Sequence, residues 1–260
     1  CHLIRTLVVS DLHLDPSDPS RYEAIMAAVA SVKCDQLVLA GDLFEAWIGD
    51  DGAEAADSAL LRHFSKCASE TVFIPGNRDF LLSQDYAARF GIRSADKLEL
   101  PGILILHGDE LCTLDAAYQQ FKAQVRDRQW QHDFLAKPLS ERQAIAHQMR
   151  LASKQNQTNR PEAIGDAVEE TIQHCMQAAN ADLLIHGHTH RPTITANAQG
   201  LRAVTSDWTD SGIGYVVEHG GREHRRLHQV CLTPTGSDTL QTWDYDAGTP
   251  EWKRNSESRD

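Results

Sequence analysis

Eight side chains of types that bind metals stand after short apolar runs in this 260-residue chain. Leu3–Ser10 (LIRTLVVS) leads to Asp11-Leu12-His13, and Gln36–Ala40 (QLVLA) leads to Gly41-Asp42. Thr71–Pro75 (TVFIP) leads to Gly76-Asn77-Arg78, Gly102–Leu106 (GILIL) to His107, and Asp182–Ile185 (DLLI) to His186-Gly187-His188-Thr189-His190. Short apolar runs of this kind make buried strands, and ligands of open α/β sheets bind outside the carboxyl ends of such strands. Each motif alone also reads as an exposed turn. Together they supply carboxylate, amide and imidazole donors, a set suited to Mn²⁺, Fe²⁺ or Zn²⁺. The alternating histidines place His188 and His190 on one side, as a metal site needs. Arg78 has the planar fork that pairs with phosphate oxygens.

The elements that must position these groups follow from periodicity. Arg21–Val32 and Ala55–Ser69 read as helices between the first strands. From Ala116 the rhythm changes to a long helical stretch, AAYQQFKAQVRDRQWQHDFL, a break at Lys137-Pro138-Leu139, and a second helix, SERQAIAHQMRLASK. This insertion, 116–160, holds eight Lys or Arg against three acids, a local charge of +5 in a chain of −12. Its apolar positions (Tyr118, Phe121, Val125, Trp130, Phe134, Leu135) make either a buried stripe or one face of a lid, whose cations would meet phosphates and an anionic lipid surface.

Composition, with 41% hydrophobic and 24% charged residues, is that of a globular protein. No apolar run approaches the roughly 20 residues of a membrane span. The net acidity opposes a nucleic-acid partner held by a broad basic surface, and no obligate protein partner is evident. Six cysteines lack CxxC pairing and read as reduced thiols of a cytoplasmic protein. Cys1 stands where an initiator methionine is expected, compatible with acylation or with loss of preceding residues.

The order D-x-H, GD, GN, H, GHxH resembles the calcineurin-like metallophosphoesterase superfamily. The resemblance implies an α/β fold, a four-layer α/β/β/α sandwich with a helical lid insertion, and two divalent metal ions. Carried over by position, Asp11, His13, Asp42 and His190 hold one ion and Asp42, Asn77, His107 and His188 the other, with Asp42 bridging. Two ions about 3.5–4 Å apart clamp a phosphoryl group and acidify a water. The ions and Arg78 would stabilise charge on the equatorial oxygens, and His13 would help protonate the leaving group; Asp42, Asn77, Arg78 and His13 are thus the catalytic set.

The longer words GDLFEAWIGDD, GNRDFLL, HGDELCTLDAAYQ, RLASK and IHGHTHRP resemble the UDP-2,3-diacylglucosamine diphosphatase family, lipid A pathway hydrolases of Gram-negative bacteria, over roughly three quarters of the chain, Thr6 to Pro192. That resemblance implies Mn²⁺, attack on the α-phosphorus with release of UMP and 2,3-diacylglucosamine 1-phosphate, and peripheral attachment to the cytoplasmic face of the inner membrane. It assigns substrate contacts to Asn77, Arg78, Asp115, Ser153 and His188, and to Gln157 and Arg160, which stand where the family pattern has Asn and Lys. Residues 1–219 are expected to form the catalytic domain and 220–260 an extension, polar and disordered from Gly248. The alternatives are a two-metal phosphoesterase for a soluble nucleotide diphosphate or phosphodiester, a nuclease with a local basic groove, and a metal-free scaffold, which would lack the ligands found here.

Overall fold

A computed structural model describes residues 3–159 and 162–255, without the side chains of 154–159, 162 and 163. The N-terminal part alternates strands and helices: β1 (Ile4–Val9), α1 (Pro19–Ala30), β2 (Gln36–Leu39), α2 (Ala55–Cys67), β3 (Glu70–Phe73), α3 (Gln84–Ala88) and β4 (Ile92–Ser94). Strands β1 to β4 are parallel neighbours. In β2 every side chain is buried, as expected of a parallel strand covered on both faces. Helix α1 starts where Asp18 accepts the Arg21 amide and Pro19 fills the first turn.

The chain then crosses to a second sheet with β5 (Leu98–Leu100) and β6 (Ile103–Leu106). It continues through α4 (Ala116–Val125), α5 (Arg128–Leu135), α6 (Leu139–Asn159) and α7 (Glu169–Ala178) to β7 (Leu183–His186), β8 (Thr193–Asn197) and β9 (Gly200–Val204). It returns to the first sheet as β10 (Gly212–His219), β11 (Arg225–Thr233), β12 (Gly236–Asp246) and β13 (Glu251–Arg254). The sheets run β13-β12-β11-β10-β1-β2-β3-β4 and β5-β6-β7-β9-β8.

Alternation of side chains along each strand sorts them into layers. Leu7, Val9, Leu37 and Leu39 face Tyr22, Ile25, Leu60 and Phe64 of α1 and α2. Val8, Val38 and Val72 face Ile103, Ile105 and Ile185 of the second sheet. On the far side, Leu104, Leu106 and Leu184 pack on Ile172 and Met176 of α7. This is the expected four-layer α/β/β/α sandwich.

Two expectations change. The lid's first helical stretch is not continuous: it breaks at Arg126-Asp127, and Asp127 caps α5 by accepting the Trp130 amide. Residues 251–254, expected to be disordered, form β13 on β12, and Trp252 is buried between the sheets. Residues 256–260 lie outside the described residues, as does Cys1. The clasp for the returning strands is Arg225, which pairs with both carboxylate oxygens of Asp182 (2.6 and 2.8 Å) under the Tyr245 ring, while the Trp252 indole donates to Asp182 (2.9 Å).

Candidate binuclear metal centre

The loops after β1, β2, β3, β6 and β7 converge at one edge of the sandwich, and all seven expected ligands meet there. Ligand atoms of Asp11, His13 and His190 lie within 4.8 Å of one another, as do those of Asp11, Asp42 and His107. His190 Nε2 is 3.1 Å from Asp11 Oδ1, and His107 Nε2 is 3.8 Å from Asp42 Oδ1. The Asn77 side-chain oxygen sits between His107 Nε2 (3.1 Å) and His188 Nδ1 (2.9 Å).

The backbone is bent to make this possible. Asp11, His13, Asp42, His188 and His190 all have positive φ, between 46° and 64°, a region L-residues seldom occupy. Hydrogen bonds hold them there: the amides of Asp11, His13 and Leu14 donate to the carbonyls of Gly41, Asp42 and Leu43 at 2.9–3.0 Å. Glycine is required where loops touch. A Cβ on Gly76 would lie 2.2 Å from Asp42 Oδ1, and one on Gly187 would lie 2.2 Å from Asp11 Oδ2.

Electrostatics argue that cations complete the cluster. Burial, helped by the neighbouring Asp79 and Asp11 carboxylates, pushes Asp42 up to about 7. Burial opposes the charging of His107, yet Asp42, Asp109 and Asp11 raise it to about 9. Asp11 is lowered despite burial, by the His190 hydrogen bond and the surrounding imidazoles. His107 Nδ1–H donates to the Ala40 carbonyl (2.9 Å), so Nε2, which faces the Asn77 oxygen at 3.1 Å, is the atom that a metal ion would take in place of its proton, the arrangement metal-binding imidazoles adopt. The residues present therefore fit two divalent ions. Burial also pushes His13 down to about 3, followed by Arg78, which leaves its ring nitrogens available as ligands.

Around the ligands, the structure adds carboxylates that sequence reasoning passed over. Asp79 is fully buried and accepts the amides of Gly76 and Leu43 at 2.7 Å, fixing the Asn77 and Asp42 loops. Glu45 accepts Arg78 Nη1 at 2.7 Å, pairs with Arg150 of α6, and lies 3.5 Å from His13 Nδ1. Asp109 accepts the Tyr118 hydroxyl at 2.8 Å and pairs with Lys122 at 3.0 Å. All three stand inside the quoted motif words, which was the available signal. Several lid cations prove structural: Arg142 is buried and donates to Lys137 and Ile48 carbonyls and to Asp51, and Arg126 donates to the Gly76 carbonyl.

Arg78 flanks the centre, its Nε 3.7 Å from Asp42 Oδ2. Asp115 is buried and caps α4 by accepting the Tyr118 amide at 3.0 Å, and the Tyr118 ring lies 5.6 Å from His188. Ser153 is exposed on α6. The Gln157 side chain and Arg160 lie outside the described residues.

Residues 4–192 match the family described as calcineurin-like phosphoesterase. A UDP-2,3-diacylglucosamine hydrolase of Stenotrophomonas maltophilia is 40% identical over 237 residues, 83% of this chain and 96% of that protein. One of Xanthomonas campestris pv. campestris is 41% identical over 248 residues, 87% of this chain and 99% of that protein. Among solved structures, Vacuolar Protein Sorting 29 from Cryptosporidium parvum has a TM-score of 0.50 at 10% identity, covering 95% of this chain and 100% of that one, a likeness of fold.

Proposed function

Because the chain belongs to the calcineurin-like phosphoesterase family, and within it to the UDP-2,3-diacylglucosamine hydrolases, we propose that its site hydrolyses the diphosphate of UDP-2,3-diacylglucosamine in the lipid A pathway. The observation that carries this reading is the meeting of all seven ligand side chains at one edge of the sandwich, where loops of both sheets converge, beside a basic lid with exposed apolar residues. Among the described residues, Phe121, Leu135 and Leu151 of the lid helices are exposed, as acyl-chain contacts require.

Asp11, His13, Asp42 and His190 would hold one divalent ion, and Asp42, Asn77, His107 and His188 the other. The bound pair supplies Lewis acidity and an acidified water, with Mn²⁺ as the proposed native ion. Arg78, steadied by Glu45, pairs with the equatorial phosphoryl oxygens, and Asn77 hydrogen-bonds beside it. The water oxygen bonds to the α-phosphorus as the bond to the bridging oxygen breaks. UMP keeps the new oxygen, one water proton passes to solvent, and the β-phosphate leaves on the sugar. A sugar phosphate has a second pKa of about 6, so its departure needs little protonation.

Asp115, Ser153, Gln157 and Arg160 are proposed to contact the acylated sugar from the lid. Among the described residues no helix is long and apolar enough to cross a membrane. The proposed attachment is peripheral, through the lid's apolar and basic residues, on the cytoplasmic face of the inner membrane.

The test is Mn²⁺-dependent release of UMP from UDP-2,3-diacylglucosamine in detergent micelles, with UDP-glucose and Asp42→Ala as controls. UMP from the lipid alone, lost in the variant, is expected. Cleavage of a generic phosphodiester without turnover of the lipid would overturn the substrate assignment.

A further inference from the structure

A polar cleft of about 680 Å³ opens between the loop following β3, the end of β4 and the outer side of α4 and α5. Metal-ligand candidate His107 forms part of its wall, so the cleft adjoins the centre. Its character differs from the other side of the lid, where Trp130, Phe134 and Ile145 join the apolar cluster of Trp47 and Ile48.

Charge in the cleft is balanced: Lys122, Arg126 and Arg128 stand with Asp96, Asp109 and Glu110. Lys122 is paired with Asp109, and Arg126 donates to the Gly76 carbonyl at 2.9 Å. That lining is no anion trap; it suits an uncharged ligand rich in hydrogen-bonding groups. Unused bonding capacity points the same way. Ser94 Oγ is buried without a partner, and among the described residues the side chains of Gln84, Asp96 and Arg128 make no hydrogen bond or ion pair. The Arg126 guanidinium lies 5.0 Å from the centre of the Phe80 ring, and both are lining residues of a kind on which flat heterocycles stack.

We propose that this cleft is the nucleoside subsite, which holds the uridine half of the substrate and selects uracil. The proposal rests on the hydrolase reading above. Attack at the α-phosphorus leaves the ribose 5′-oxygen on the phosphorus held at the centre, so the nucleoside must lie against the centre and away from the acylated sugar. Uracil presents an N3–H between two carbonyls. Asp96 can accept from N3–H, Arg128 and Ser94 can donate to the carbonyls, and Gln84 can bond the ribose hydroxyls. Cytosine, whose N3 is an acceptor, would meet the Asp96 carboxylate unfavourably.

The experiment is calorimetric binding of UMP, CMP and ribose 5-phosphate to the Mn²⁺-loaded full chain, comparing wild type with Ser94→Ala/Asp96→Ala and with Arg128→Ala. Wild type should bind UMP about tenfold more tightly than ribose 5-phosphate, the equivalent of one or two net hydrogen bonds, and more tightly than CMP. The variants should lose most of that margin, while ribose 5-phosphate affinity stays within about twofold, since its phosphate contacts are untouched. A wild type with no preference, a margin that survives in the variants, or an equal loss for all three ligands would overturn the proposal. Turnover of the UDP-lipid, measured in parallel, separates the two readings. Turnover without base-dependent binding removes only the subsite, and base-dependent UMP binding without turnover removes only the lipid assignment.

Discussion

Glu45 is where the lid, the phosphate clamp and the metal centre meet, which makes Glu45→Ala an informative perturbation. Its carboxylate holds Arg78 Nη1 at 2.7 Å, pairs with Arg150 of the lid, and faces His13 Nδ1 at 3.5 Å. Without it, the nearest carboxylate for Arg78 is Asp42, 3.7 Å from Nε, and the freed guanidinium should swing towards that ligand and away from the phosphoryl oxygens. A hydrogen bond between charged partners contributes about 1.5–3 kcal/mol. The side chains of Arg78 and Glu45 remain 25% and 17% exposed, so solvent screening places the loss near the lower end, about 1.5 kcal/mol. That corresponds to roughly a tenfold fall in kcat/KM. Glu45→Gln, which keeps an acceptor, should fall between the variant and wild type, and Arg150→Ala should raise KM with kcat nearly unchanged. The assay is UMP release in mixed micelles at fixed lipid mole fraction, with thermal unfolding as a check on the fold. A kcat/KM for Glu45→Ala within twofold of wild type would refute the coupling.

Gly187→Ala would place a Cβ 2.2 Å from Asp11 Oδ2 and from Ser10 Oγ. The resulting strain of about 1–3 kcal/mol should weaken Mn²⁺ binding about tenfold or more in a metal titration. Chelation should lower the unfolding free energy, and Mn²⁺ at about 100 times its dissociation constant should restore about 2.7 kcal/mol; equal urea midpoints with and without metal would contradict this. Arg225→Leu strands Asp182 beneath the returning strands and should cost about 3 kcal/mol in urea unfolding, whereas a loss under 1 kcal/mol would show that the clasp is not structural.

Much of the site was legible because its signals are local. Runs such as Leu37–Ala40 and Ile103–Leu106 are apolar throughout because both faces of those strands are covered, and a polar side chain placed at such an end has few structural reasons to be there. The parts that were not legible depend on distant partners. Strand β12 carries no strong pattern, being half exposed along most of its length, and β13 is held by Trp252 reaching Asp182, 70 residues away. The roles of Glu45 and Asp79 are set by loops from other strands, with Arg78 33 residues beyond one and Leu43 36 residues before the other.

The centre itself shows a conflict between local preference and tertiary demand. Five of the ligands occupy the left-handed region where glycine is at ease, and three of them are histidines. Each such residue costs on the order of 1 kcal/mol or more. Glycine stands one residue before two of them, at Gly41 and Gly187, so the chain had glycine to hand and still placed Asp42 and His188 in the strained positions. The side-chain donor is thus retained at the expense of backbone comfort, and the crossing hydrogen bonds from Asp11, His13 and Leu14 hold the conformation. A scaffold with no use for the donors would be relieved by losing them, so the strain argues, independently of relatives, that these side chains are held for chemistry.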